Sequence, residues 1–196
     1  MSTQWPESIP YDEFPWRLFL DSSTLQYLQE YGEYIYNGGS IRPSNRLYSV
    51  PFGEENVEAL RLIMAVGARA PLQLVLSGNS IEEVAARGRH VYLQWAFEIV
   101  DYWESILQTY EADGVEAFSG KGSFLARDIA SGCFGYLSNK DARLLKDAVL
   151  LECDAFITMD LKLTKNAKHI QSKLGILIVE PRRYWSLLRP WAALFH

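Results

Sequence analysis

Residues 141–160 read Asp-Ala-Arg-Leu-Leu-Lys-Asp-Ala-Val-Leu-Leu-Glu-Cys-Asp-Ala-Phe-Ile-Thr-Met-Asp. The order of apolar and acidic residues here decides the fold. Ala142, Leu145, Ala148 and Val149 recur at helical spacing. A helix is therefore predicted behind Asp141, whose carboxylate suits the positive end of the helix dipole and follows Ser138-Asn139-Lys140. Ala155-Phe156-Ile157-Thr158 is a short apolar run of the kind that fills a central parallel strand. It stops on Asp160. In open α/β sheets, ligands bind outside the carboxyl ends of the strands. One acid capping a helix and another ending the next strand are thus expected to meet at one sheet edge.

Working outward, Trp16-Arg17-Leu18-Phe19-Leu20 is a strand candidate that ends on Asp21-Ser22-Ser23-Thr24, with Ser23 or Thr24 predicted to cap the next helix. Residues 37–53 carry dense turn signals and read as a long loop bearing Arg42 and Arg46. A helix over 54–69 is ended by Pro71, and residues 72–76 form a second strand. Ser80 then suits an N-cap with Glu83 three residues on, a capping box that would give Glu83 a purely structural role. Residues 90–112 read as a long helix with Tyr92, Trp95, Ile99, Tyr102, Trp103, Ile106 and Tyr110 on one stripe. Core packing is the first reading of that stripe; a protein interface and a nucleic-acid stacking platform are the others. Gly120-Lys121-Gly122-Ser123 lacks the spacing of a phosphate loop. Residues 161–174 form a lysine-bearing helix ended by Gly175, and 176–179 a last buried strand closed by Pro181.

Four strands alternating with helices predict an α/β fold, a three-layer α/β/α sandwich around a central, mostly parallel sheet. The expected division is a leader over 1–15, one domain over 16–184 with elaborations at 37–53 and 88–137, and an aromatic tail over 185–196 interrupted by Pro190.

The net charge of −5 argues against coating a nucleic acid by bulk positive field, although it leaves room for a local basic rim. Six tryptophans and eleven tyrosines are a surplus that suggests extra packing surface or a partner interface. Cys133 and Cys153 cannot make a disulfide framework or a zinc ribbon, and they suit a reducing, cytoplasmic setting. Neither a secretory leader nor an apolar run long enough for a membrane span is expected. His90, His169 and His196 lie far apart without zinc-protease spacing, and there is no G-x-S-x-G elbow.

What remains is a set of acids at element junctions: Asp21, Glu83, Asp141 and Asp160. Several carboxylates share a small pocket only when protons or cations neutralise them. Hard oxygen ligands select magnesium or manganese over zinc. Such ions activate water and stabilise the charge that builds on a phosphodiester.

These residues resemble the PIN-domain ribonucleases. In that family an acid ends the first strand and is followed by Ser or Thr, as in Leu18-Phe19-Leu20-Asp21-Ser22-Ser23. A second acid follows the second strand in a Ser…Glu-aliphatic context, matched by Ser77…Glu83-Val84, with Glu82 as the rival. The third and fourth match Asp141-Ala142 and Asp160, and Thr158 matches a hydroxyl residue near the metal. The last strand is similar to Leu174-Gly175-Ile176-Leu177-Ile178-Val179-Glu180-Pro181. The likeness covers residues 16–36 and 138–184. It implies a PIN-like domain and an Mg- or Mn-dependent endoribonuclease with Asp21, Glu83, Asp141 and Asp160 as catalytic and metal residues, supported by Ser22 and Thr158. Arg42, Arg46, Arg143 and Lys162 are candidates for substrate phosphate. It also implies a homodimer and, in many bacterial members, a toxin held by an antitoxin. A PIN-fold binding module with little activity and a structure-specific DNA nuclease are the alternatives.

Overall fold

The computed structural model describes residues 9–41, 46–85, 129 and 134–195. Within them lie four strands, β1 (Arg17–Leu20), β2 (Gln73–Val75), β3 (Ala155–Ile157) and β4 (Leu177–Val179). They form one sheet in the order β2-β1-β3-β4, with every neighbouring pair parallel. The helices are α1 (Ser22–Glu30), α2 (Gly32–Asn37), α3 (Gly53–Gly67), α4 (Gly78–Ala85), α5 (Asn139–Leu150), α6 (Leu161–Lys165), α7 (Ala167–Leu174) and α8 (Pro181–Ala192). The chain is therefore mixed α/β with an all-parallel sheet, and no described helix is long and apolar enough to cross a membrane.

β1, β3 and β4 bury side chains on both faces, which is why they carry apolar runs, while edge strand β2 exposes Gln73. Successive residues alternate between two core clusters. Leu18, Leu20, Ala155, Ile157, Leu177 and Val179 pack with Leu25 and Leu28 of α1, Ile35 of α2, Leu60 and Ile63 of α3 and Leu188 of α8. Phe19, Val75, Phe156 and Ile178 pack instead with Leu145 and Ala148 of α5, Leu163 of α6 and Ile170 of α7. Phe19 and Phe156 face each other across β1 and β3, their rings stacked with centroids 5.2 Å apart. Burying side chains of this size stabilises by about 1.5–3 kcal/mol each.

Helix termini depart from expectation in an informative way. Asp21 itself caps α1, accepting the Thr24 N–H at 2.7 Å, so Ser23 and Thr24 are free for other bonds. Ser77, not Ser80, stands at the start of α4 and accepts the Ser80 N–H at 3.3 Å, which frees Glu83 from any capping box. Ser138 caps α5, and Asp141 is the third residue of a reciprocal capping box with it. Asp21 and Ser138 both have the extended backbone that an N-cap requires.

Two expected boundaries also move. The 37–53 loop contains a 3-10 turn, Arg46–Ser49, and α3 starts at Gly53, where an added Cβ would fall 2.5 Å from the Leu47 carbonyl oxygen. α8 runs straight through the expected tail boundary, with Pro181 in its first turn and Tyr184, Leu187 and Leu188 in the core. The end of the leader joins this core as well. Phe14 is buried, the Tyr184 hydroxyl donates to the Pro15 carbonyl at 2.9 Å, and the Trp191 indole donates to the Ile9 carbonyl at 3.1 Å. The aromatic helix over 90–112, the 120–123 turn and, apart from residues 129 and 134–137, the 88–137 elaboration lie outside the described residues.

Candidate active site

β1 ends and α1 begins within one residue, so the Asp21 side chain sits at the carboxyl edge of the sheet between its two central strands. Asp21 is only 4% exposed. Its Oδ1 accepts the Thr24 N–H, and its Oδ2 accepts the Thr158 hydroxyl at 2.5 Å. The Ser23 hydroxyl donates to the same carboxylate at 2.9 Å and accepts the Met159 N–H at 3.0 Å. Thr24 reaches across to the Ile157 carbonyl at 2.9 Å. The run Asp21-Ser22-Ser23-Thr24 thus stitches the end of β1 to the end of β3.

Glu83 reaches the same edge from α4. Its Oε2 accepts the Ser22 hydroxyl at 2.8 Å. Its Oε1 is buried and has no hydrogen-bond partner among the described residues. Glu83 is 9% exposed, and among the described residues neither it nor Asp21 forms an ion pair with a lysine or arginine. Burial pushes the Asp21 carboxyl up to about 6, against hydrogen bonds from Thr158, Thr24 and Ser23 that favour the charged form.

Asp160 adjoins this pair through Thr158. Its N–H donates to the Thr158 hydroxyl oxygen at 2.9 Å, so one hydroxyl bridges Asp160's backbone and Asp21's carboxylate. The Asp160 side chain caps α6 by accepting the Lys162 N–H at 2.6 Å. Asp141 is placed differently. Its Oδ2 accepts the Ser138 hydroxyl at 2.8 Å, and none of its hydrogen bonds reaches Asp21, Glu83 or Asp160. α5 is instead tied to this edge through Asp147, which accepts from the Asn79 amide at 2.7 Å.

The other candidates divide. Lys162 and Arg143 are exposed, the latter beside a cavity of about 380 Å³ shared with Phe134, Ala142 and Lys146. Arg42 lies outside the described residues, as do the side chains of Arg46 and Glu82. His90, His196 and Cys133 lie outside them too. His169 packs against the rings of Phe134 and Tyr136, and Cys153 is a buried thiol pushed up to about 12 by desolvation. Neither resembles a reactive group.

Among the described residues no three Asp, Glu, His or Cys side chains stand close enough together to hold a metal ion. The donors present still fit a hard cation. Magnesium is held through one or two carboxylates, with water and substrate phosphate completing its shell. Asp21 and Glu83 are buried, have no basic partner among the described residues, and Glu83 Oε1 has no hydrogen-bond partner among them.

Sequence reading missed Ser23, Thr24, Asn79 and Asp147 as the residues that hold this edge together. The run of three hydroxyl residues behind Asp21 was the available signal for the first two; the Asn79–Asp147 bond spans 68 positions and leaves none. Compared with family models, with curated proteins and with solved structures, the chain finds no match.

Proposed function

We propose that the chain is a metal-dependent endoribonuclease with a PIN-like, three-layer α/β/α domain. The two core clusters on alternate strand residues support the layering. The observation that carries the function is the buried pair Asp21 and Glu83, without a basic partner among the described residues, at the carboxyl edge of a parallel sheet.

In this reading Asp21 and Glu83 hold Mg or Mn, Asp160 adjoins them through Thr158, and Asp141 stays in its capping box with Ser138. The ion supplies Lewis acidity toward water and the phosphodiester. Ser22 orients Glu83 by donating to one oxygen and leaving the other available. Thr158 orients Asp21. Ser23 and Thr24 keep the ends of β1 and β3 together, so the donors lose little freedom on binding.

A second reading is a PIN-fold binding module with little activity. It is favoured by Asp141's engagement in the α5 capping box. One experiment separates them: pure protein is incubated with single-stranded and structured RNA, with manganese or with chelator. The nuclease reading expects manganese-dependent internal cleavage that is absent in Asp21→Asn; cleavage unaffected by that change, or none by the parent protein, removes it.

A further inference from the structure

Phe52 stands at the N-cap of α3 with φ 57° and ψ 24°, a left-handed conformation that bulky side chains rarely adopt. Glycine or asparagine would fill that position without strain. Phe52 is nevertheless 49% exposed, so burial does not account for it. Tyr48 and Val50, on the turn leading into α3, are exposed beside it in sequence.

The Arg182 guanidinium lies over the Phe52 ring, 3.7 Å from its centroid. Arg182 is fixed from two sides. Its N–H donates to the buried Asn56 Oδ1 at 3.1 Å, and its Nε donates to Glu180 Oε2 at 2.7 Å. Its terminal nitrogens make no hydrogen bond among the described residues.

This pair belongs to the same sheet edge as the acids. Glu180 and Arg182 follow directly on β4, the Val179 carbonyl accepts the Thr158 N–H at 3.1 Å, and Thr158 donates to Asp21. Two strand spacings, about 10 Å, separate β4 from β1. Arg182 therefore follows β4 at the same carboxyl edge of the sheet that Asp21 occupies after β1.

We infer that Phe52 and Arg182 form a base-stacking seat, which holds an unpaired nucleotide of RNA flanking the phosphate at the acidic edge. The inference rests on the nuclease reading for the identity of its ligand. The exposed ring takes the face of the base, and the terminal guanidinium nitrogens take the adjacent phosphate. Arg182 over the other ring face stiffens the platform and adds cation–π attraction. Such a seat tolerates any base, because every base has a face to stack. The bland rival is that the Phe52–Arg182 contact only fastens α3 to α8.

The test uses the full chain carrying Asp21→Asn and a single-stranded oligoribonucleotide with one 2-aminopurine, whose fluorescence is quenched when it stacks. Phe52→Gly suits the left-handed backbone, and Phe52→Leu keeps the apolar cover; both are checked by thermal melting. The seat expects quenching by the parent that is lost in both variants, binding weaker by about tenfold, and no such dependence with a fully paired duplex. In the chain with Asp21 intact, KM for RNA rises by a similar factor while kcat changes less than about twofold. Equal quenching and affinity in parent and folded variants overturns the seat. Quenching without manganese-dependent cleavage leaves the seat standing and removes the nuclease, so the two failures are distinguishable.

Discussion

The two ends of the sheet both carry acids and settle their charges in opposite ways. At the amino end, Arg17 starts β1 and Asp154 precedes β3. The Arg17 N–H donates to Asp154 Oδ2 at 2.8 Å, while its guanidinium donates to the Leu151 carbonyl at 2.8 Å and to Gln73 Oε1 at 2.7 Å. The Asp154 N–H returns a bond to the Arg17 carbonyl, and the Asp154 carbonyl accepts from Leu177. Opposite charges, backbone groups and solvent meet there. At the carboxyl end, Asp21 and Glu83 are buried, have no basic partner among the described residues, and leave an oxygen unbonded. A buried carboxylate without compensation weakens the folded state. The amino end is arranged for stability; the carboxyl end retains an unfavourable charge that a bound cation would relieve.

The sharpest way to break that contrast is Asp21→Asn. Manganese-dependent cleavage of RNA is expected to fall by at least about 10²-fold, the scale of losing one charge-stabilising group. Glu83→Gln is expected to be more damaging than Glu82→Gln, because Glu83 is the residue joined to Ser22. A gel assay on RNA with manganese checks both.

The next effect is thermodynamic and needs no substrate. The folded-state carboxyl of Asp21 sits at about 6, above the ordinary 3.8. The folded protein therefore holds this proton more tightly than the unfolded chain. The associated stability is present below the unfolded value and is lost as pH rises from 3.8 through about 6. A shift of this size corresponds to at most about 3 kcal/mol. In chelator at neutral pH, Asp21→Asn is expected to be more stable than the parent by about 1–2 kcal/mol, with the gap closing towards about pH 4. Urea titrations across that range measure it. Manganese is expected to reverse the order by stabilising the parent, by about 2.7 kcal/mol at a hundredfold excess over Kd.

Thr158→Val removes the hydroxyl that donates to Asp21 and accepts from Asp160. Cleavage is expected to fall by about tenfold, the usual effect of losing a group that orients a metal ligand. Arg17→Ala, at the other end, is expected to lower stability by about 1 kcal/mol and leave kcat/KM for RNA unchanged. A loss of cleavage from Arg17→Ala in a folded protein would dissolve the division between the two ends.

The parallel α/β architecture was legible because β1, β3 and β4 are covered on both faces. Leu18-Phe19-Leu20 and Ala155-Phe156-Ile157 are continuous apolar runs for that reason. The acids at strand ends were legible too, since Asp21 follows its strand directly and Asp160 lies three residues beyond β3. Cap assignments were not. Ser77 and Ser80 are both good caps by composition, and only the backbone chooses between them. That choice took away the capping alternative for Glu83 and left it as Ser22's partner. Phe52's left-handed backbone was equally hidden, because no local preference assigns phenylalanine to that region.

The amino-acid sequence by itself determined which segments pair as buried strands and which acids follow them, because apolar periodicity and chain punctuation act over a few residues. Which carboxylates share an edge was decided only by the tertiary structure. Glu83 is bonded to Ser22, 61 positions away, and Asp21 to Thr158, 137 positions away, while Asp141 closes on its neighbour Ser138. Burial then made the difference between them: desolvation is a property of everything packed around a group, and no local stretch of chain contains it.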